Sequence, residues 1–165
     1  MLAAMRRKYN AETLYRNIEY CRKYIDGVRF SADIIAGFPG ETEEDFAATH
    51  GFLDFANLVH AHIFPFSERQ GTEAAEMDGR LDKKTKAERA ASLSEHQDRI
   101  NEADAKTLFT TTAEVLFEVT ENGYATGHTR QFLSVRSKTD EDLHGVIKNV
   151  ILRSYKNGTF DADIL

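Results

Sequence analysis

The chemically richest stretch is Ser31-Ala32-Asp33-Ile34-Ile35-Ala36-Gly37-Phe38-Pro39-Gly40-Glu41-Thr42. An apolar run breaks at Gly-Phe-Pro-Gly, and a helix start follows at once. Thr42 stands where an N-cap belongs, with Glu43, Glu44 and Asp45 in the first turn, where negative charge meets the positive end of the helix dipole. In parallel α/β sheets, ligands bind beyond the carboxyl ends of the strands. Glycine lets a ligand approach the backbone and proline fixes the turn. A phosphate loop needs a lysine and a hydroxyl after its last glycine; Glu41 and Thr42 stand there instead. The acidic residues at 41, 43, 44 and 45 repel an anion, so a ligand amino group or ribose hydroxyls suit the bend better. The plain alternative is a tight strand-to-helix turn with nothing bound.

In Leu58-Val59-His60-Ala61-His62-Ile63-Phe64, strand alternation puts His60, His62 and Phe64 on one face and Val59, Ala61 and Ile63 on the other. Two histidines facing one way suggest a metal. Zinc asks for three or four protein ligands, however, and no nearby cysteine or histidine completes a set. Lining of a polar barrel interior is the favoured reading, and no metal site is expected. Arg69, beside Ser67, is either a polar contact to substrate or cofactor or a solvated loop residue. Cys21 is the single cysteine. It lies on a stripe with Leu14, Ile18 and Ile25 that predicts a helix over 12–24, and so reads as a small buried hydrophobe rather than a reactive thiol.

These groups need elements to hold them. The sequence predicts a strand over 28–36 and a helix from Glu43 to Phe55, with Phe46, His50, Leu53 and Asn57 on one face flanked by Ala47, Phe52 and Ala56. A second strand is predicted over 58–66. Strand, helix, strand at this spacing is a βαβ unit with a parallel sheet and a right-handed crossover. A loop over 65–79 follows, then a long charged helix over 81–106 in which Ala90, Leu93, Gln97, Ile100 and Ala103 recur at helical spacing. From Leu108 the texture becomes β-branched and aromatic. Short strands are predicted over 110–119, 124–128, 132–137, 145–154 and 159–164, with Asn122-Gly123 and Asn157-Gly158 as turns. Five short strands in this length suggest a small closed barrel. The fold class is therefore α/β followed by all-β, with domains over 1–106 and 107–165.

A chain of 165 residues with 41% hydrophobic content can bury a real core. No apolar run approaches the roughly eighteen residues of a membrane span, and the basic Met1–Asn10 stretch leads into no secretory signal. With one cysteine and no disulfide, a cytoplasmic location is expected. The net charge of −6 repels nucleic acid overall, so RNA contact must come from local patches. Up to Lys106 there are 15 basic and 19 acidic residues, and after it 6 and 8. In the second domain Arg130, Arg136, Lys138, Lys148, Arg153 and Lys156, with Tyr124, Phe132 and Tyr155, could supply phosphate contacts and stacking. On charge alone a plain interaction barrel is the better reading.

Three ordered blocks carry a resemblance: Met5-Arg6-Arg7-Lys8-Tyr9, then Asp33 to Phe46, then His62-Ile63-Phe64-Pro65-Phe66-Ser67-Glu68-Arg69-Gln70-Gly71-Thr72. They resemble the methylthiotransferase family of radical S-adenosylmethionine enzymes. The terminal strands, with Gly127-His128-Thr129, resemble that family's TRAM domain, a small β-barrel implicated in tRNA binding. The resemblance implies a partial radical S-adenosylmethionine (β/α) barrel, tRNA near its anticodon as partner, and a methylthio group added to a hypermodified adenosine. The Phe64-Pro65-Phe66-Ser67 block looks most like the threonylcarbamoyl-adenosine branch, with the isopentenyl-adenosine branch close behind. By the same resemblance Ser31, Asp33, Gly37 and Phe38 lie beside the ribose and adenine of S-adenosylmethionine. Phe64 and Pro65 border the adenine, and Glu41 is a weaker candidate.

The family's radical 4Fe-4S cluster takes a Cys-x3-Cys-x2-Cys loop, and an N-terminal domain supplies three more cysteines. This sequence has only Cys21. It therefore reads as a C-terminal fragment with no catalytic residue of its own, inactive alone and prone to self-association through an open barrel edge. Two alternatives stand beside this: a stand-alone tRNA-binding or interaction module, and a fragment of a ribosomal-protein aspartate methylthiotransferase.

Overall fold

In the computed structural model, which describes residues 1–165, the first helix begins because Asn10 caps it. The Asn10 side chain accepts from the Thr13 N–H at 2.8 Å, opening α1 (Ala11–Tyr24), and so satisfies one of the orphan donors of a helix start. Ile18 is buried and Leu14 and Cys21 are half-buried. Ile25 departs from the predicted stripe and is 53% exposed. The helix stops one residue earlier, and the extended backbone of Ile25 turns its side chain outward.

The predicted βαβ unit forms from β1 (Ser31–Ala36), α2 (Glu43–Ala56) and β2 (His60–Pro65). The two strands are parallel, with Ser31 opposite His60 and Ala36 opposite Pro65. Both are shorter than predicted; ahead of the ladder, the Val59 N–H donates to the Phe30 carbonyl at 2.9 Å. Thr42 and Asp45 form a full capping box on α2, and Asn57 ends it in the left-handed region at φ 45°. Leu53 and Ala56 are buried while Ala47 is exposed, so the buried face is narrower than the sequence suggested. Glu73–Ala75 form one turn of 3-10 helix inside the predicted loop.

α3 (Lys83–Thr107) buries Ala90, Leu93 and Gln97, and the Gln97 amide donates to the Leu58 carbonyl at 2.9 Å. Ala103 is exposed. Each step of three residues falls about 60° short of a full turn, so the predicted sequence of spacings walks off the face by residue 103. Ile18, Leu53, Ala56, Leu58, Ala90 and Leu93 make up most of the core here, where each large aliphatic side chain contributes about 1.5–3 kcal/mol. Tyr15 packs on Phe52 and Phe55 with ring centroids 5.9 and 4.5 Å away.

The chain divides into two units, Met1–Gln97 and Asp98–Leu165. The second is a closed barrel of β3 (Thr112–Glu121), β4 (Tyr124–Thr129), β5 (Ser134–Lys138), β6 (Ile147–Lys156) and β7 (Thr159–Ile164), in the order β3-β4-β5-β7-β6. All ladders are antiparallel except β5–β7. Asn122-Gly123 and Asn157-Gly158 have φ of 52° and 78°, and 50° and 80°, the paired positive values of a tight hairpin turn. Gly127 allows no substitution: a Cβ there would lie 1.9 Å from the Leu116 carbonyl oxygen. Val115, Phe117, Val135, Val150, Leu152 and Phe160 fill the barrel, and Ala105 near the end of α3 joins them. No helix in the chain is long and apolar enough to cross a membrane.

Candidate functional site

The β1–β2 register decides which side chains share a face. Ser31 lies opposite His60, Asp33 opposite His62 and Ile35 opposite Phe64, and residues in register project from the same side of the sheet. Ser31, Asp33, His60, His62 and Phe64 are all exposed, while Ile34 and Ala36 on the other face are buried. Three residues singled out from the sequence, Ser31, Asp33 and Phe64, therefore come together with the two histidines. The histidine Nε2 atoms lie 3.1 Å apart, with the rings nearly perpendicular at 83°, so one ring donates a proton to the other. Pro65 ends β2 opposite Ala36, next to the glycine bend, and is exposed.

The bend from Gly37 to Glu41 is locked from inside. The Gly37 N–H donates to Glu41 Oε2 at 3.0 Å, closing a five-residue ring, and the Glu41 N–H donates to the Phe38 carbonyl at 2.9 Å. The Gly40 N–H donates to the Gly79 carbonyl at 2.9 Å. Gly37 has φ +73°, and a Cβ there would meet Lys86 Cγ at 2.5 Å, so both its backbone angle and its neighbour require glycine.

Glu41 is buried at 8% exposure and Arg89 at 6%. The Arg89 Nη1 donates to Glu41 Oε2 at 2.6 Å and to the Glu41 carbonyl at 3.3 Å. Its other terminal nitrogen pairs with Glu43, and the guanidinium lies over the Phe46 ring at 5.0 Å. Burial alone would lower the Arg89 pKa, but hydrogen bonding and charge from Glu41, then from Glu43, outweigh it and raise the pKa.

Two of the predicted site residues turn inward. The Phe38 ring is buried at 5% exposure and packs edge-on against Phe66 with centroids 5.1 Å apart. The Glu41 carboxylate is occupied by the Gly37 amide and Arg89. Each therefore frames the bend from inside, and of residues 37–41 only Gly40 is exposed. Arg89 is the residue that sequence reasoning missed. Its only local signal is a cation beside Ala90 on the buried side of α3, and its partner lies 48 residues away. Arg69 is exposed, and its carbonyl accepts from the Thr72 N–H and hydroxyl.

In the barrel, three of the six cations singled out are committed to carboxylates, and Lys156 is exposed. Arg130 Nε pairs with Glu114 and Arg153 Nε with Asp163, each at 2.7 Å. Arg136 grips Asp161 Oδ1 at 2.9 and 2.7 Å and lies over the Tyr124 ring at 5.0 Å. The Asp161 hydrogen bond and charge raise the Arg136 pKa. Lys138 is exposed. Lys148 pairs with the core residue Val115 and is half-buried.

The open β1–β2 face joins hydroxyl, carboxylate, imidazole and aromatic groups beside a rigid backbone bend, and this donor set fits a nucleoside carrying an amino group. It does not fit an iron–sulfur cluster: Cys21 is the only thiol, half-buried on α1, and a cluster asks for several thiolates. No three His, Cys, Asp or Glu side chains gather where they could hold a metal ion.

No protein-family model matches the chain. Curated proteins do. The threonylcarbamoyladenosine tRNA methylthiotransferase MtaB of Bacillus subtilis (strain 168) is 32% identical over 97% of this chain. The tRNA-2-methylthio-N(6)-dimethylallyladenosine synthases of Acetivibrio thermocellus and Thermobifida fusca are 34% and 38% identical over 100% and 87% of it. The match takes in 38%, 35% and 29% of those proteins, so the chain spans about a third of the length of the curated relatives it matches. The strands, the bend and the closed five-stranded barrel lie within that homologous stretch, and the chain belongs to the radical S-adenosylmethionine MiaB/MtaB family of tRNA methylthiotransferases.

Proposed function

We propose that this chain is the C-terminal portion of an enzyme that adds a methylthio group to a hypermodified adenosine beside the anticodon of tRNA. In this reading S-adenosylmethionine, when bound, would supply the radical and methyl chemistry, and any iron–sulfur cluster that chemistry uses would be held by residues other than these. The chain's own residues bind and orient. Asp33 and Ser31 hold the cofactor's amino and hydroxyl groups, and Phe64 and Pro65 border its adenine. Gly37 and Phe38 shape the bend beside its ribose and adenine, and the Glu41 carboxylate keeps that bend in place. In this reading the barrel meets the tRNA, with Lys138 exposed for phosphate, while Arg130, Arg136 and Arg153 are paired with Glu114, Asp161 and Asp163 and Lys148 lies in register with the core residue Val115. Domains over 1–106 and 107–165 divide these tasks, and a cytoplasmic setting suits a tRNA substrate.

The observation that carries the proposal is the β1–β2 register, which brings Ser31, Asp33 and Phe64 onto one exposed face of the sheet whose first strand runs into the locked bend. The Phe64-Pro65-Phe66-Ser67 block favours threonylcarbamoyl-adenosine as the base modified. Relatives at 34% and 38% identity named as dimethylallyladenosine synthases support a second substrate reading.

Joining the chain to a cluster-bearing barrel half and analysing the tRNA nucleosides tests both. Methylthiolated threonylcarbamoyl-adenosine is the expected product, and methylthiolated dimethylallyl-adenosine is the mark of the second reading. Asp33→Ala should weaken S-adenosylmethionine binding in the joined protein by on the order of tenfold, the loss of a charge-assisted hydrogen bond. A cluster-loaded protein that modifies no tRNA defeats the assignment.

A further inference from the structure

Phe132 sits in the short connection between β4 and β5, at φ 64°. The Phe132 N–H donates to the Thr129 carbonyl at 2.9 Å and the Thr129 N–H to the Leu133 carbonyl at 3.0 Å; the Thr129 hydroxyl accepts from the Leu133 N–H at 3.1 Å. A turn of this kind places its last residue in the left-handed region, where glycine or asparagine is normal and a bulky side chain is an outlier. Phe132 recovers little of that cost by burial, being 68% exposed. Strain kept at an exposed position points to use rather than to folding.

The ring is held in a defined pose. It stacks on His128 with centroids 4.6 Å apart and planes within 15°. His128 is fixed through both nitrogens, Nδ1 to Glu118 Oε2 at 2.6 Å and Nε2 to the Ser134 hydroxyl at 3.2 Å. The pair therefore offers an outer aromatic face ready for a third flat ring.

The register extends this face. Ile147, Leu116, His128 and Ser134 lie side by side across β6, β3, β4 and β5, with Leu116 and Ile147 exposed at 42% and 58%. Two residues along β4 and β5, roughly 6.7 Å away, and three along β3 across its bulge, Val119, Thr126 and Arg136 form the next row. Beyond it Tyr124 pairs with Lys138 and carries Arg136 against its ring at 5.0 Å.

Because Arg130 and Arg136 are neutralised by Glu114 and Asp161, the face is no phosphate track for a duplex. Exposed rings and aliphatic side chains with a few cations suit the flat faces of unpaired bases. We propose that the outer face of β3, β4 and β5 binds unpaired nucleobases of an RNA strand, with Phe132 on His128 as the main stacking station and Tyr124 on Arg136 as the second. This rests on the RNA reading of the barrel and names the residues and the strand form that reading leaves open.

The test uses the whole chain, a single-stranded RNA decamer carrying 2-aminopurine, and a blunt duplex of the same composition. The native chain should bind the single strand in preference and quench the 2-aminopurine as it stacks. Phe132→Gly should weaken single-strand binding by on the order of tenfold or more while unfolding at an equal or higher temperature, because glycine takes φ 64° without strain. Phe132→Leu, which keeps bulk but lacks a π face, should lose the same affinity, and Phe132→Tyr should retain it.

Unchanged affinity in both Phe132→Gly and Phe132→Leu overturns the stacking site and leaves RNA binding by the barrel standing. A native chain that binds neither RNA overturns both. If Phe132→Gly leaves RNA affinity intact but abolishes self-association in sedimentation, the face is a protein interface and the proposal is wrong.

Discussion

The Glu41–Arg89 pair is the side-chain interaction that sets the shape of the candidate cofactor site. Glu41 Oε2 receives both the Gly37 amide and the Arg89 guanidinium, so one oxygen joins the bend to α3. Removing one partner of a buried pair costs about 3–5 kcal/mol, because the other charge is left without compensation. Glu41→Gln keeps an acceptor for the Gly37 amide, and Arg89 keeps Glu43. The expected loss is therefore about 3 kcal/mol, at the lower end of that range, measured by denaturant unfolding. Replacing Glu41 and Arg89 together by apolar residues should recover part of it. A Glu41→Gln chain as stable as the native one would show that the pair adds nothing and that the bend is held by its other hydrogen bonds. This pair could not be read from the sequence. Glu41 looked like one acid among four facing a ligand, and only the folded chain brings α3 across to it.

At the scale of elements, what could be read was what is local. The α2 start was legible because its signal lies within four residues: the Thr42 hydroxyl accepts from the Asp45 N–H at 3.1 Å, and Asp45 Oδ2 accepts from the Thr42 N–H at 3.2 Å. Thr42→Ala removes one half of this box and should destabilise the chain by about 1 kcal/mol. Thr42→Ser should restore most of that, as read from the shift in unfolding midpoint; a midpoint unmoved by Thr42→Ala would mean the bend holds the helix start unaided.

The two Asn-Gly hairpins were legible for the same reason. Their dipeptides demand positive φ, and the structure supplies it. Strand ends were less legible. The apolar pattern of Val28–Phe30 continues a strand on paper, yet pairing begins only at Ser31, where His60 lies opposite. The outward turn of Ile25 and of Ala103 has a like cause, since periodicity carries no knowledge of where a helix stops or drifts. In the site, Ser31, Asp33 and Phe64 were singled out through the family resemblance, and the register of β1 on β2, which no local signal carries, is what puts them on one face. The inward rings and charges of Phe38, Glu41 and Arg89 depended on packing partners far along the chain.

Across the whole molecule, the two sheets differ in how they treat their edges. The barrel closes on itself and so presents no free edge. β1 and β2 form a sheet of two strands only, so each has one edge unpaired within that sheet, and their exposed face carries Phe64 at 43% exposure. Unpaired strand edges and exposed apolar groups favour association with another chain. Opposing this is the net charge of −6, whose repulsion is screened within about 8 Å at physiological ionic strength. The two effects give a signature that neither gives alone. Sedimentation should show self-association that grows with concentration and grows further as salt is raised, since salt weakens the repulsion and leaves the apolar attraction. Phe64→Asp removes the apolar ring and adds to the net negative charge, and should return the chain toward monomer under the same conditions. A monomer at all concentrations and salts would mean that the edges of β1 and β2 are already covered within the chain.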